Sequence, residues 1–323
     1  MAAAPALSEA ARSDFAVLIP AYNEAAVVPD LVRELRAAFE DHGLSGEVLL
    51  VDDGSADDTA AIAENVSADW PSFRVLRHRR NQGKTEAMMT GAAATDRSIL
   101  LLFDADLQHS PNDIPRFLSK VEEGWDMVTG RKVGKYAKRG VSSVYNLLSR
   151  WIFRVPVSDL NSIKAFHRDV LDEITLRHDW HRYLVVLAHA RGFSISEIDS
   201  ELHPRRAGES KFQGPFRVLV GVMDMISVWF LLQFSRKPLL LFGGTGVTLI
   251  ALGGVVGTVA FILRFGMGQG FRPLLYLVIL LVTVGFVLLL SGLNAELVAQ
   301  LRSEVDRLKR GETDTATTKR GDG

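Results

Sequence analysis

Short apolar runs separated by polar stretches fill the first half of the chain, and two long uncharged runs fill its last third. FAVLIP (15–20), EVLLVDD (47–53), FRVLRH (73–78), SILLLFD (98–104) and WDMVTG (125–130) are each of strand length. They are apolar with little alternation, the pattern of strands buried on both faces. After the first, Val27, Val28, Leu31, Val32 and Leu35 recur on one helix face. Ser55 stands three residues before Asp58, the spacing of a capping box that would open the next helix. Lys84–Thr95 reads as a further helix, and Ser110-Pro111 as a cap and first-turn proline before another. Alternating units of this kind predict an α/β domain with a mostly parallel sheet covered by helices.

The two late runs change the picture. Pro238 to Leu263 and Pro273 to Ala295 contain no charged residue, and a helix of roughly 20 residues crosses a hydrocarbon core. With the Gly-rich RFGMGQGFR between them, they predict a two-helix transmembrane hairpin, about 238–263 and 273–295. A pair of buried soluble helices is the alternative, disfavoured because such helices rarely run so long without a polar face. Gly253 and Gly257 form a G-x-x-x-G suited to close helix packing. Residues 214–237 read as a membrane-proximal amphipathic helix. Arg236 and Lys237 precede the first span, and Arg302, Arg307, Lys309 and Arg310 follow the second. Only Arg264 and Arg272 lie between, so the positive-inside rule places the large domain and the C-terminus in the cytoplasm and the protein in the cell (inner) membrane.

Residues 1–13 are expected to be a flexible leader, since Glu9 interrupts any apolar core and no basic region precedes it. The α/β domain is assigned to 14–213 and the C-terminal segment to 296–323. In that segment Leu297, Leu301, Val305 and Leu308 suit a surface helix or a self-association helix, which leaves a homo-oligomer open, and GETDTATTKRGDG reads as a disordered tail.

Composition adds exclusions. The 37 basic residues nearly cancel the 38 acidic ones, so no net field points to nucleic acid as a partner. The absence of cysteine removes thiol catalysis and disulfides, and the eight histidines show no metal-site spacing.

In parallel sheets ligands bind beyond the carboxyl ends of the strands. Glu24, Asp52, Asp53, Asp104 and Asp106 all stand there. The first strand is followed by PAYNEAA, without the glycines of a dinucleotide fold, and there is no P-loop. Asp104 and Asp106, two apart, can present hard oxygen ligands to one side, suited to Mg²⁺ or Mn²⁺; a solvated strand end is the alternative. His109 is a candidate ligand or a solvent or diphosphate contact.

VLIPAYNEAAVV, VLLVDDGSADDT, RNQGKTEAMMTG and LLLFDADLQHSP stand in the order and at the spacing found in family 2 glycosyltransferases of the GT-A fold. HPRRAGESKF (203–212) and the two spans narrow the resemblance to polyprenyl-phosphate glycosyltransferases, the group of the dolichol-phosphate mannose synthases and undecaprenyl-phosphate glucosyltransferases. The resemblance covers about residues 14–300. It implies a Rossmann-like cytoplasmic GT-A domain carrying out inverting, metal-dependent transfer of a hexose. The donor would be a nucleotide sugar (UDP-glucose or GDP-mannose) and the acceptor a polyprenyl phosphate at the membrane. Pro20, Tyr22, Glu24, Asp52 and Asp53 would line the base and ribose pocket. Asp104 and Asp106 would hold the metal on the diphosphate, with Gln108 beside it, and Lys84 would support the donor. Relatives commonly carry glycine after that lysine, where this chain has Thr85. Asp159 matches an acid near the reacting centre, although Ser162-Ile163-Lys164 replaces the common S-G-F. Arg131, Arg139 and Ser143, with Arg206, Ser210 and Lys211, would bind the acceptor phosphate; ordinary membrane-surface electrostatics is the alternative for these cations.

A processive polysaccharide synthase would need Q-x-x-R-W, but Arg150-Trp151 is preceded by Leu147 where glutamine belongs. A non-catalytic nucleotide-sugar binder would have no need of both Asp104 and Asp106.

Overall fold

The computed structural model describes residues 7–133, 152–204, 215–234, 238–268, 270 and 272–321. Arg139, Ser143, Arg206, Ser210, Lys211, Arg236 and Lys237 lie outside these residues. The chain divides into two units, Met1–Val220 and Gly221–Gly323.

The first unit is built on a sheet whose described strands run in the order β3-β2-β1-β4-β6-β5-β7. They are β1 (Phe15–Ala21), β2 (Glu47–Asp52), β3 (Phe73–Arg77), β4 (Ile99–Leu102), β5 (Met127–Val133), β6 (Lys164–His167) and β7 (Ile195–Glu201). β1, β2, β3 and β4 are mutually parallel, and β5 is parallel to β7. The antiparallel strand β6 is inserted between β4 and β5. The sheet is therefore mostly parallel, as its unalternating apolar runs predict. Its order reverses at β1 and β4, and the crevice beyond their carboxyl ends is where such sheets bind ligands.

The helices are α1 (Glu9–Ser13), α2 (Val28–His42), α3 (Thr59–Val66), α4 (Lys84–Ala93), α5 (Ile114–Glu122), α6 (Arg168–Glu173) and α7 (Leu184–Arg191). α2 buries Val28, Leu31, Val32, Leu35 and Phe39 on the face its spacing predicts. Each such side chain contributes about 1.5–3 kcal/mol on burial. Phe15, Phe39, Trp70 and Phe73 extend this core as a chain of tilted and edge-on rings with centroids 5.3–5.6 Å apart.

Two local expectations differ. Residues 7–13 do not hang free: Leu7 and Ala11 are buried, and Ser8 caps α1 by accepting from Ala11 N while its own N–H donates to Glu122. Nor does Ser55 cap α3, whose N-cap is Asp58 without a side-chain bond. Asp57 accepts from the Thr59 backbone instead, and Ser55 is drawn to Asp52. The shorter Asp57–Thr59 link satisfies the helix start before a capping box can form.

The second unit holds most of α8 (Pro215–Phe234), then α9 (Pro238–Phe261) and α10 (Arg272–Gly321). Pro238–Gly266 and Arg272–Leu301 are long and apolar enough to cross a membrane. The backbone of α10 continues as helix to Gly321, through the stretch whose composition suggested a disordered tail. α9 and α10 come into close backbone contact at Gly246 and Gly285. A Cβ on either would lie 2.6–2.8 Å from the other's carbonyl oxygen, so only glycine allows this crossing. Gly253 also faces α10, where a Cβ would meet Val282 at 2.8 Å.

Candidate active site

Beyond the ends of β1, β2 and β4 lies a cavity of about 750 Å³, lined by Pro20, Tyr22, Asn23, Glu24, Asp53, Asn81, Gly83, Lys84, Asp104, Asp106 and Asp179 among others. Its rim is assembled by side chains that tie three loops together. Asn23 N–H donates to Ser55 Oγ at 2.8 Å, and Asn23 Oδ1 accepts from Ala56 N at 2.8 Å. Glu24 N–H donates to Thr59 Oγ1 at 2.8 Å. The loop after β1 is thus fastened to the loop after β2. Gly54, at φ +68°, lets the Arg80–Asn81 backbone pass beneath it; a Cβ there would lie 2.4 Å from Arg80 C.

Asp53 fastens the third loop. Its carboxylate accepts from Gln82 N at 2.8 Å and Gly83 N at 2.7 Å, and it meets His78 Nδ1 at 2.8 Å. Those bonds start α4 under the cavity and present Lys84, whose ammonium pairs with Asp104. Partial burial alone would raise the Asp104 carboxyl, but the Lys84 ammonium outweighs it and holds the group well below the usual carboxylate range.

β4 ends at Leu102, so Asp104 and Asp106 do not stand on extended strand. They flank Ala105 in a turn that continues through Leu107 at φ +52°, and both reach the same cavity. Of the four described non-glycine residues with positive φ, Asn23, Leu107 and Asp179 lie in or next to the cavity wall. Each such conformation costs of order 1–3 kcal/mol and persists where the surroundings enforce it.

The structure brings Pro20, Tyr22, Glu24, Asp53, Lys84, Asp104 and Asp106 to one cavity and leaves other expected residues off it. Asp52 is buried, and a tight turn gives its carboxylate the Ser55 hydroxyl and N–H. Gln108 points its amide toward the His203 carbonyl. Arg131 faces Asp199 across the β5–β7 register and pairs with it at 2.5 Å. Asp159 is buried, accepts from Asn161 N at 2.8 Å, and lies 3.6 Å from Lys132 Nζ. His109 is turned inward and is only 3% exposed, so it is not poised as a ligand. Its contacts are the hydroxyls of Ser200 and Ser162.

The cavity also gains Asn23, Asn81, Gly83, His178 and Asp179. Asn23 and Gly83 sit inside recognisable motifs. His178 and Asp179 come from a segment almost 100 residues after Lys84, with no motif around them; His178 reaches the site by pairing with Glu86 at 3.1 Å.

The donor set fits a divalent metal of the Mg²⁺ or Mn²⁺ type. Asp104 and Asp106 offer hard oxygens to the same space, and the Lys84 ammonium marks a cation position on Asp104. Among the described residues no group of three His, Cys, Asp or Glu converges as an all-protein metal cage. Mg²⁺ is held in this incomplete way by one or two carboxylates, with substrate phosphates and water filling the remaining positions.

The mostly parallel α/β sheet with an acid-lined cavity at its switch point is a GT-A-like domain, followed in the chain by two long apolar helices. Residues 16–187, more than half of the chain, match the glycosyl transferase family 2 model, and the chain belongs to that family. It is 27% identical over 299 residues to an undecaprenyl-phosphate 4-deoxy-4-formamido-L-arabinose transferase of Salmonella paratyphi A, covering 90% of this chain and 89% of that protein. It is 29% identical over 298 residues to a dodecaprenyl-phosphate galacturonate synthase of Rhizobium johnstonii, covering 89% and 88%. Among solved structures, the fold is shared with glucosyl-3-phosphoglycerate synthase of Mycobacterium tuberculosis in complex with Mn²⁺, UDP and phosphoglyceric acid. There the TM-score is 0.55 at 20% identity, over 69% of this chain and 80% of that one. The same enzyme has also been crystallised with Mg²⁺ and UDP.

Proposed function

We propose that this glycosyltransferase moves a sugar from a nucleoside-diphosphate donor to a polyprenyl phosphate at the cytoplasmic face of a membrane. The observation that carries the reading is the convergence of Asp104, Asp106 and Lys84 on one cavity that Pro20, Tyr22, Glu24 and Asp53 also line. The relatives covering most of the chain carry sugar–polyprenyl-phosphate names, and two spans keep the enzyme at the bilayer where such an acceptor resides.

In this reading Tyr22 and Glu24 contact the nucleoside, and Asp53 acts indirectly by holding Gly83 and Lys84 in place. Asp104 and Asp106 hold Mg²⁺ or Mn²⁺, which when bound neutralises charge on the leaving nucleoside diphosphate. Lys84 adds a second positive charge beside the same oxygens. The acceptor phosphate carries between one and two negative charges at neutral pH, since its second pKa is about 6. It is already nucleophilic and needs positioning more than deprotonation. Its direct attack on the anomeric carbon, with the diphosphate leaving from the opposite side, inverts the configuration. Arg139, Ser143, Arg206, Ser210 and Lys211 are assigned to the acceptor phosphate by sequence alone. Arg131 would have to exchange Asp199 for it. The proposed donor is UDP-glucose or GDP-mannose.

The test incubates membranes containing the full chain with Mg²⁺, undecaprenyl phosphate and labelled UDP-glucose, GDP-mannose or UDP-galacturonate. Label from one donor in an acid-labile, organic-extractable product is the expected result. No labelled lipid from any donor, together with unchanged nucleotide-sugar binding by Asp106→Ala, would sink the reading.

A further inference from the structure

A buried polar chain lies behind the acid loop and takes no part in lining the cavity. Ser200 Oγ donates to Asp113 Oδ2 at 2.7 Å, and Asp113 Oδ1 is paired with Arg116 at 2.8 Å. A hydroxyl has a single proton, and that of Ser200 is committed to the Asp113 carboxylate. The contact of 2.9 Å between Ser200 Oγ and His109 Nδ1 must therefore be donated by the imidazole. His109 is then the Nδ1–H tautomer, and its bare Nε2 accepts from Ser162 Oγ at 3.3 Å. Burial holds this imidazole neutral, lowering its pKa to about 4.

The chain joins the loop of Asp106 to a segment whose Lys164 ammonium lies close enough to Asp104 and Lys84 to act on both electrostatically. His109 follows Asp106 by three residues, while Ser162 lies between Asp159 and Lys164. Ser162 is itself held at both ends: its carbonyl accepts from buried Lys164 Nζ at 2.7 Å, and its side chain occupies the space left by Gly130, where a Cβ would fall 2.7 Å from Ser162 Oγ. Asp159 is anchored alongside, its N–H donating to Glu197 at 3.1 Å.

We propose that His109, as its Nδ1–H tautomer, is a positioning residue for sugar transfer: through Ser162 it holds the segment carrying Asp159 and Lys164 in register with the loop carrying Asp104 and Asp106. This rests on the reading of the cavity as the donor site. Sugar transfer needs donor and acceptor groups aligned within fractions of an ångström, and a 1 Å displacement can cost about 100-fold in rate.

The experiment uses the full-length enzyme in membranes, undecaprenyl phosphate, and whichever donor of the panel above labels lipid. Ser162→Ala, His109→Asn, the double variant and Asp106→Ala are compared for kcat, donor KM and thermal stability. His109→Asn retains an N–H toward Ser200 and loses the acceptor for Ser162. The expected result is a kcat lowered about 10-fold by each single change, with donor KM within about 3-fold of wild type and the double variant no slower than the worse single. Such non-additivity places both residues on one chain. Ser162→Ala, which removes a single hydroxyl, keeps the test valid if His109→Asn fails to fold. Near-normal kcat in Ser162→Ala, or losses that multiply in the double variant, would overturn the inference while Asp106→Ala stays inactive. Full activity in Asp106→Ala would instead overturn the donor-site reading, and this inference with it.

Discussion

The N–H of Gly83 donates to Asp53 Oδ2 at 2.7 Å, and this bond helps place Lys84 beside Asp104 in the cavity wall. Asp53 is therefore a scaffold for the cavity as much as a wall of it. Asp53→Ala would leave Gln82 N, Gly83 N and His78 Nδ1 without their common partner. The expected cost is about 3 kcal/mol of stability, read as a lowered Tm, with a raised donor KM as Lys84 loses its support. Asp53→Asn retains one acceptor oxygen and should fall between the two.

Metal removal should act through two residues only. Chelation with EDTA is expected to abolish lipid labelling, and added Mg²⁺ or Mn²⁺ to restore it. Asp104→Asn, which keeps the shape and removes the charge, should lower kcat by about 100-fold or more and stay low at any metal concentration. Recovery of the variant at high Mg²⁺ would argue that Asp106 alone suffices.

Stability should fall on the acid side for a nameable reason. Burial keeps His109 neutral to about pH 4, and burial likewise drives His181, bonded to Thr85, well below its ordinary value. In the unfolded chain both take up a proton near pH 6.5. Between pH 6.5 and 4 the unfolded state thus binds more protons, and folding weakens as pH drops. For His109 alone the loss reaches about 3 kcal/mol at the lower end. Denaturant unfolding of the full chain at pH 7, 6 and 5 should show it, with a shallower slope in His109→Asn.

Lys164 is fully buried in the first unit, and burial together with the Lys84 ammonium brings its pKa down to about 7. Taking an ion out of water costs several kcal/mol, a penalty that an apolar side chain of similar volume does not carry. Lys164→Met should therefore keep or raise Tm while lowering kcat, because the Ser162 carbonyl loses its donor. A matched fall in both would show that the ammonium serves the fold alone.

In the hairpin, Gly246 and Gly244 offer an internal control. A Cβ at Gly246 meets the Gly285 carbonyl oxygen at 2.6 Å, whereas one at Gly244 meets nothing within 4 Å. Gly246→Val should lower thermal stability in detergent by several degrees, and Gly244→Val should leave it within about 1 °C of wild type.

Much of this protein was legible in its sequence because the signals are local. Unalternating apolar runs mark strands buried on both faces, and uncharged runs beyond twenty residues mark helices able to span a membrane. A PAYNEAA turn, a VDDGS turn and a D-x-D loop name the acids that gather at the carboxyl ends of β1, β2 and β4. What only the tertiary structure decided is how those groups are spent. Asp52 and Asp53 are neighbours in sequence, yet one closes a turn on Ser55 and the other clamps the start of α4. Arg131 met Asp199 only because β7 lies beside β5, and His109 turned away from the acids because Ser162 and Ser200 wait behind them. Periodicity and charge are properties of neighbouring residues. The partners Arg131 and His109 take lie 53 to 91 positions away, brought within reach by the order of strands in the sheet.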